Sequence, residues 1–359
     1  MHIKKNNKLD QYAYKITGST TGALVDITFK VSLLLGRNEF VRCILVDFSK
    51  AFDTVDHSQL ISKLCHFDLP VCVLIWIVRF LTDRSQCTKL SSVLSACLPI
   101  NRSIVQGSGI GPSLFSVYIY DLKAAGKFNS LIKFADDCTL LVPANTDVSA
   151  EDELSNIIAW SVINKLALNL QKTKEIIFHR PHHCLPPRLS GIERVSTVKL
   201  LGVHLTDSMS MDEHARQTIS VCNQRLYMLC QLKRQGLPLK CLDLVFDSLI
   251  MSKLLYASPS WSGYLNVESV STIQKLFTKS VKWGVTSKSY QAADIFAVHD
   301  EKLFSAMCTW SNHCLHHLLP SERDTGHDLR HRGHSYQLVC YNFSSTRRCF
   351  VVRMLYDAL

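Results

Sequence analysis

LIKFADDCTLLV, residues 131–142, sets two adjacent carboxylates, Asp136 and Asp137, between two apolar runs. Ile132, Phe134, Leu140 and Leu141 favour extended backbone, so the acidic pair falls where two short strands meet in a tight turn. Two negative charges at the tip of a hydrophobic hairpin are costly unless a cation neutralises them. Mg²⁺ suits such a place, because it takes one or two carboxylates together with substrate phosphates. An Asp-Asp pair alone decides little, since about one is expected by chance in a chain of this size, and taken alone a solvated turn explains it better. What surrounds the pair decides the reading.

A third acid supplies that context. FVRCILVD, residues 40–47, is an apolar, β-branched run ending on Asp47. If this strand and the hairpin are sheet neighbours, Asp47, Asp136 and Asp137 meet at one edge. Such a cluster can hold two metal ions, one activating an attacking hydroxyl and one stabilising a leaving pyrophosphate.

The order of elements fits an α+β layer. Ser19 and the threonines after it open a helix through Leu35. After the 40–47 strand, Thr54 or Asp56 caps a helix that turns Leu60, Ile61 and Leu64 inward; Asp56 reads as a cap, not a metal ligand. A second helix covers 71–81, and strands cover 86–98. A Gly-rich loop then feeds an apolar helix within 104–122, with Pro112 in its first turn. Past the acidic hairpin, 151–170 reads as an amphipathic helix with Leu154, Ile157, Ile158, Ser161 and Val162 near one face. Strands at 174–178 and 198–205 follow, giving a mostly antiparallel sheet. From about residue 212 helical periodicity takes over to about 284. The remainder is mixed and ends basic, with Arg330, Arg332, Arg347, Arg348 and Arg353.

Composition narrows the class. In 359 residues, 47% are hydrophobic and 19% charged, which gives ample core and argues against wholesale disorder. The formal net charge of +10 favours polyanionic partners, nucleic acid before membrane. The fourteen cysteines include no CxxC pair and lie in apolar runs, such as those of Cys43, Cys72 and Cys230, as reduced, buried thiols of an intracellular protein do. No apolar segment follows the start, and the 71–81 run is too short to span a bilayer. Nucleus and cytoplasm are not distinguished. The stretch holding His313, Cys314, His316, His317, His327, His331 and His334 lacks paired zinc-ligand spacing and reads as structural.

VDFSKAFDTVDH (46–57), VQGSGIGPSLF (105–115), FADD (134–137), NLQKTKEIIF (169–178) and KLLGVHL (199–205) occur in this order. With QYAYKITGSTTGAL (11–24) and YASPSWSGYL (256–265), they resemble the reverse transcriptases of non-LTR, LINE-type, jockey-like retrotransposons. The resemblance spans nearly the whole chain. It implies a right-hand polymerase: remnant fingers over 1–39, a palm over 40–210 with an antiparallel sheet and helices, a helical thumb over 211–290, and an extension over 291–359. It implies RNA-directed DNA polymerase activity, with an RNA template, a DNA primer and deoxynucleoside triphosphates as partners. It also implies two Mg²⁺, for which Mn²⁺ can substitute.

Residue by residue, Asp47 matches the first metal-binding acid and the Phe48 carbonyl a further ligand. Asp136 and Asp137 match the acidic pair, with Phe134 in place of a tyrosine. Phe52 matches the steric gate against a ribose 2′-OH, although a core phenylalanine is an equal reading of the residue alone. Gln106 and Gly107 match the nucleotide- and template-contacting motif. Lys172 or Lys174 matches a cation beside the pyrophosphate. Complete proteins of the family carry an endonuclease and further fingers upstream, and Lys15 stands where they usually have arginine. An N-terminally truncated copy is therefore expected, binding primer–template but extending it barely. A rival expectation is an inactive remnant that only binds nucleic acid; a more remote one is a metal-dependent hydrolase built on Asp136 and Asp137.

Overall fold

The computed structural model describes residues 10–180, 184–323, 334–341 and 343–358. Arg330, Arg332, His327 and His331 lie outside the described residues, as do 1–9. The chain forms two compact units. Unit 1 comprises 1–16, 42–175 and 186–194, and unit 2 comprises 17–41, 176–185 and 195–359. The fold is α+β.

The elements running through unit 1 follow the apolar patterning closely. They are β1 (Phe40–Val46), α2 (Ala51–Thr54), α3 (His57–Leu64), α4 (Val71–Leu81), β2 (Arg84–Gln86), β3 (Lys89–Leu90), β4 (Val93–Leu94) and β5 (Leu98–Ile100). Then come α5 (Gly111–Tyr118), β6 (Ser130–Phe134), β7 (Asp137–Pro143), α6 (Ala150–Ile163), β8 (Lys174–His179) and β9 (Glu193–Arg194). One sheet has the order β6-β7-β1-β8-β9, and the boundary between units falls within β1 and β8. β6 and β7 are antiparallel, β8 and β9 parallel. Burial of Ile44, Val46, Phe115, Tyr118, Leu140 and Ile157 forms the core under this sheet.

Asp56 is the N-cap of α3, its carboxylate accepting the Gln59 N–H at 3.1 Å. Burial pushes that carboxyl up, but hydrogen bonds from Lys165, Ser58 and Gln59 hold it well below the usual range. α5 starts with proline in its first turn, as expected.

Two expectations are corrected. The helix expected over 151–170 ends at Ile163. Lys165 has φ +53°, and the Leu166 N–H closes back on the Ser161 carbonyl at 2.9 Å, so the helix is stopped by its own C-terminal turn. Leu154, Ile157 and Ser161 face inward, whereas Ile158 and Val162 are exposed. The single strand expected over 198–205 is a hairpin of unit 2, β10 (Thr197–Leu200) and β11 (Val203–Thr206). Its two-residue turn, Leu201–Gly202, has φ +44° and +86°.

Unit 2 otherwise is helical: α1 (Thr20–Leu35), α7 (Asp212–Arg234), α8 (Leu239–Phe246), α9 (Ser252–Leu255), α10 (Ser258–Trp261), α11 (Val267–Lys282), α12 (Ala292–Thr309), α13 (Ser344–Arg348) and α14 (Phe350–Asp357). Ser19 caps α1 through the Gly22 N–H at 3.0 Å. α1 packs on α10, α13 and α14, and its Ser32 hydroxyl lies 3.2 Å from the Tyr264 hydroxyl.

The Tyr256 hydroxyl donates to the Leu201 carbonyl at 2.8 Å, holding the β10–β11 turn. A Cβ on Gly202 would lie 3.0 Å from the Tyr256 ring. Gly202→Ala is therefore expected to cost about 1–2 kcal/mol in stability from backbone strain alone. Unchanged denaturant unfolding in that variant would contradict this account of the turn.

Candidate active site

The acidic pair sits as its sequence implies. β6 and β7 are joined by Ala135 and Asp136; Phe134 opposite Asp137 is the last register pair. Ala135 takes the turn at φ +55°. Asp136 is half-buried and Asp137 exposed.

The turn is clamped by Gln11, a residue to which the sequence reading gave no role. The Gln11 side-chain oxygen accepts the N–H groups of Ala135 and Ala13, each at 3.0 Å, and its amide donates to the Ala135 carbonyl at 3.5 Å. Backbone bonds Lys133 N–H to Asp10 O (2.8 Å for the neighbouring Tyr12 N–H to Lys133 O, 2.6 Å for this one) lay residues 10–12 along β6. Lys133 itself is wholly buried. Its ammonium pairs with Asp10 at 2.9 Å and donates to the carbonyls of Leu122 at 2.8 Å and Ile119 at 3.1 Å. A lysine inside the apolar run LIKF was the available signal.

Asp47 follows the last residue of β1, and β1 is the sheet neighbour of β7. The chain beyond α6, expected to stay helical, instead runs back beside Asp47 as a strap. The Asn169 N–H donates to the Asp47 carbonyl at 2.8 Å, and the Ser49 N–H donates to the Ala167 carbonyl at 2.8 Å. The Asp47 N–H reaches the Thr173 hydroxyl at 3.3 Å. Phe48, opposite Leu168, is buried edge-on to Trp160. That antiparallel bridge uses the groups flanking Phe48 and leaves its own carbonyl out.

The charge of Asp47 reaches both acids of the pair. Burial pushes the Asp136 carboxyl up from the usual range, and the Asp47 charge pushes it further, against one backbone hydrogen bond. Asp137 is raised by burial, then by the charges of Asp136 and Asp47. No lysine or arginine among the described residues forms an ion pair with any of the three. No group of three His, Cys, Asp or Glu among the described residues is gathered tightly enough to hold an ion as it stands. His313, His316 and His334 make local hydrogen bonds to Leu315, Met307 and Leu355.

Phe52 stacks on Phe115 with ring centroids 4.1 Å apart and remains half-buried. The loop before α5 is held by the Ile104 N–H on the Phe52 carbonyl at 2.8 Å. Gln106 is exposed and donates to the Asp53 carboxylate at 2.8 Å. Gly107, at φ +79°, has open space where a Cβ would stand. Lys174 lies on β8, paired with Glu193 at 3.3 Å, whereas Lys172 is exposed just before that strand. The geometry thus brings Phe52, Gln106 and Asp53 onto one loop system and commits Lys174 to a neighbour.

Residues 5–205, more than half of the chain, match the family described as "Reverse transcriptase (RNA-dependent DNA polymerase)". Among curated proteins, the chain is 24% identical over 290 residues to "Probable RNA-directed DNA polymerase from transposon BS" of Drosophila melanogaster, covering 76% of this chain and 32% of that protein. It is 22% identical over 262 residues to "RNA-directed DNA polymerase from mobile element jockey" of the same fly, covering 68% and 28%. The chain thus spans about a third of the length of these relatives. Among solved structures it is similar to apo telomerase from Candida tropicalis at 12% identity and TM-score 0.45, covering 83% of this chain and 51% of that one. No helix among the described residues is long and apolar enough to cross a membrane.

Proposed function

The chain belongs to the reverse transcriptase (RNA-dependent DNA polymerase) family, and on that premise we propose that it is the polymerase domain of a non-LTR retrotransposon protein, joining deoxynucleotides to a DNA primer on an RNA template. In this reading 40–210 is the palm, 1–39 belongs to the fingers, 211–290 is the thumb and 291–359 an extension. One observation carries it: the charge of Asp47, at the end of β1, reaches the Asp136–Asp137 hairpin, and no lysine or arginine among the described residues pairs with these acids.

A buried acidic pair, Asp136 and Asp137, raised by desolvation and by the neighbouring Asp47 charge, is chemically suited to a hard divalent cation. Asp47, Asp136, Asp137 and the Phe48 carbonyl would hold two Mg²⁺, or Mn²⁺ in their place. When bound, the ions supply charge neutralisation at the primer hydroxyl and at the departing pyrophosphate. The rest is positioning by the chain. The strap from Ala167 to Thr173 fixes the backbone on both sides of Asp47. Gln11 fixes the turn that carries Asp136. Gln106 and the bare backbone of Gly107 face the nucleotide and template. Lys172, in no ion pair among the described residues, offers its ammonium to the pyrophosphate better than Lys174.

Phe52 supports the sugar end of this reading. Its ring is held flat on Phe115, a fixed wall that crowds a 2′-OH, the group distinguishing ribose from deoxyribose. Extension of a DNA primer on an RNA template, with Mg²⁺ present and with it chelated, tests the function directly. In the same assay Phe52→Ala is expected to raise ribonucleotide use relative to deoxynucleotide by about tenfold or more. An unchanged ratio removes Phe52 from the gate. Absence of any Mg²⁺-dependent extension, by this chain and by a fusion that adds a relative's fingers, removes the polymerase reading.

A further inference from the structure

The arm between α4 and α5 carries two cysteines, Cys87 and Cys97, that the β2–β5 register sets opposite each other when carried one pair further. β2 and β5 pair Arg84 with Ile100, Ser85 with Pro99 and Gln86 with Leu98. Toward the tip, β3 and β4 pair Lys89 with Leu94 and Leu90 with Val93. Between them, the Ser95 N–H donates to the Thr88 carbonyl at 2.9 Å, and the Thr88 N–H to the Ser95 hydroxyl at 2.9 Å. The two registers differ by one residue. Cys87 therefore stands alone on its strand against Ala96 and Cys97 on the other, a one-residue bulge.

Directly opposed antiparallel residues have Cα atoms roughly 4.5–5.5 Å apart, inside the roughly 4.4–6.8 Å range that a disulfide spans. Cys87 and Cys97 are both exposed free thiols, against the expectation of buried cysteines, which holds for Cys43 but not for Cys72. The contrast with the core cysteines is marked: burial pushes the thiols of Cys43 and Cys138 up to about 12, which keeps them protonated and inert.

We propose that Cys87 and Cys97 are a reversible dithiol–disulfide pair that exchanges with small disulfides of the glutathione type. One thiolate attacks a sulfur of oxidised glutathione, forming a mixed disulfide and releasing one glutathione thiolate. The facing thiolate then attacks the protein sulfur of that mixed disulfide and releases the second. Two thiols of the protein are oxidised, one disulfide is reduced to two thiols, and the protons pass to the released glutathione. The bond closes residues 88–96 into a ring at the bulge, the weakest point of the arm's pairing. The arm's outgoing strand, β5, continues into the loop bearing Gln106, anchored on the way by the Ser103 N–H on the Val55 carbonyl at 2.8 Å. Oxidation thus stiffens the arm that feeds this loop. The inference does not depend on the catalytic reading.

The test is graded oxidation of the full chain with oxidised glutathione, alkylation of remaining thiols, trypsin digestion and mass spectrometry. Trypsin cuts after Arg84, Lys89 and Arg102, so the bond joins peptides 85–89 and 90–102. The joined species is expected in monomeric protein at about tenfold less oxidant than any other exposed cysteine needs. Cys87→Ser should abolish it and leave Cys97 as a glutathione adduct. Amide exchange at Leu90 and Leu94 should slow about tenfold on oxidation of the parent protein and not of the variant. Cys87 and Cys97 recovered only as separate glutathione adducts, or bonded to other cysteines, would overturn the pairing.

Discussion

In a chain completed with a relative's fingers, Asp136→Asn or Asp47→Asn is expected to lower the rate of RNA-templated primer extension by at least about 10³-fold, and Asp136→Asn to do so without destabilising the fold. The two halves of this expectation come from the same electrostatics. Burial raises the Asp136 carboxyl and the Asp47 charge raises it further. A carboxyl raised in the folded protein holds its proton more tightly there than in the unfolded chain. Its contribution to stability is therefore most favourable below the unfolded value and is lost as pH rises through the folded one. Near neutral pH the ionised acid works against folding. A neutral asparagine of similar shape removes that cost while it removes a metal-binding charge. Activity should fall while the unfolding midpoint stays or rises. A merely structural acid behaves the other way: Glu175, wholly buried between Arg42 at 2.8 Å and Arg194 at 2.6 Å, would take the fold with it. Primer-extension rates and denaturant unfolding measured on the same preparations check both halves. Near-normal extension by either asparagine variant would end the two-metal assignment.

The sequence made the strands and helices of unit 1 legible wherever apolar periodicity was strong. The 71–81 helix and the apolar strand before Asp47 show this. The acidic turn was legible because two strand-forming runs flank two charges. What escaped was set by partners far along the chain or by single backbone conformations. Apolar spacing favoured a helix past Ile163, but the left-handed turn at Lys165 ended it and released the strap that holds Asp47. Leu201–Gly202 turned an expected strand into a hairpin, although the glycine signalled it. Gln11 grips Ala135, 124 positions away, and no local pattern points to that contact. Lys174 pairs with Glu193, a contact between strands that no local spacing shows.

Lys133 is the clearest case of a residue that spacing could not assign, and its replacement is expected to have the largest effect on stability. Its side chain is 1% exposed and ends on one carboxylate and two carbonyls. A buried ammonium is tolerable only when every proton has a partner, and here three partners converge on it. Lys133→Met keeps most of the stem's volume and removes the charge. The carbonyls of Ile119 and Leu122 then lose a charge-assisted donor inside the core, and Asp10, itself partly exposed, loses its ion pair. Removing one partner of such a set costs about 3 kcal/mol or more. Asp10→Asn, which leaves the lysine its carbonyl acceptors and a polar side chain in place of the acid, should cost less. The backbone pairing of residues 10–12 with β6 also sets Gln11 on the acidic turn. Loss of the Lys133–Asp10 pair should therefore speed amide exchange at Ala135 before the core opens. Denaturant unfolding of the two single variants and the double variant gives their coupling, expected at about 1 kcal/mol or more. A Lys133→Met protein as stable as its parent, with Ala135 equally protected, would show that the buried ammonium neither holds the fold nor steadies the turn.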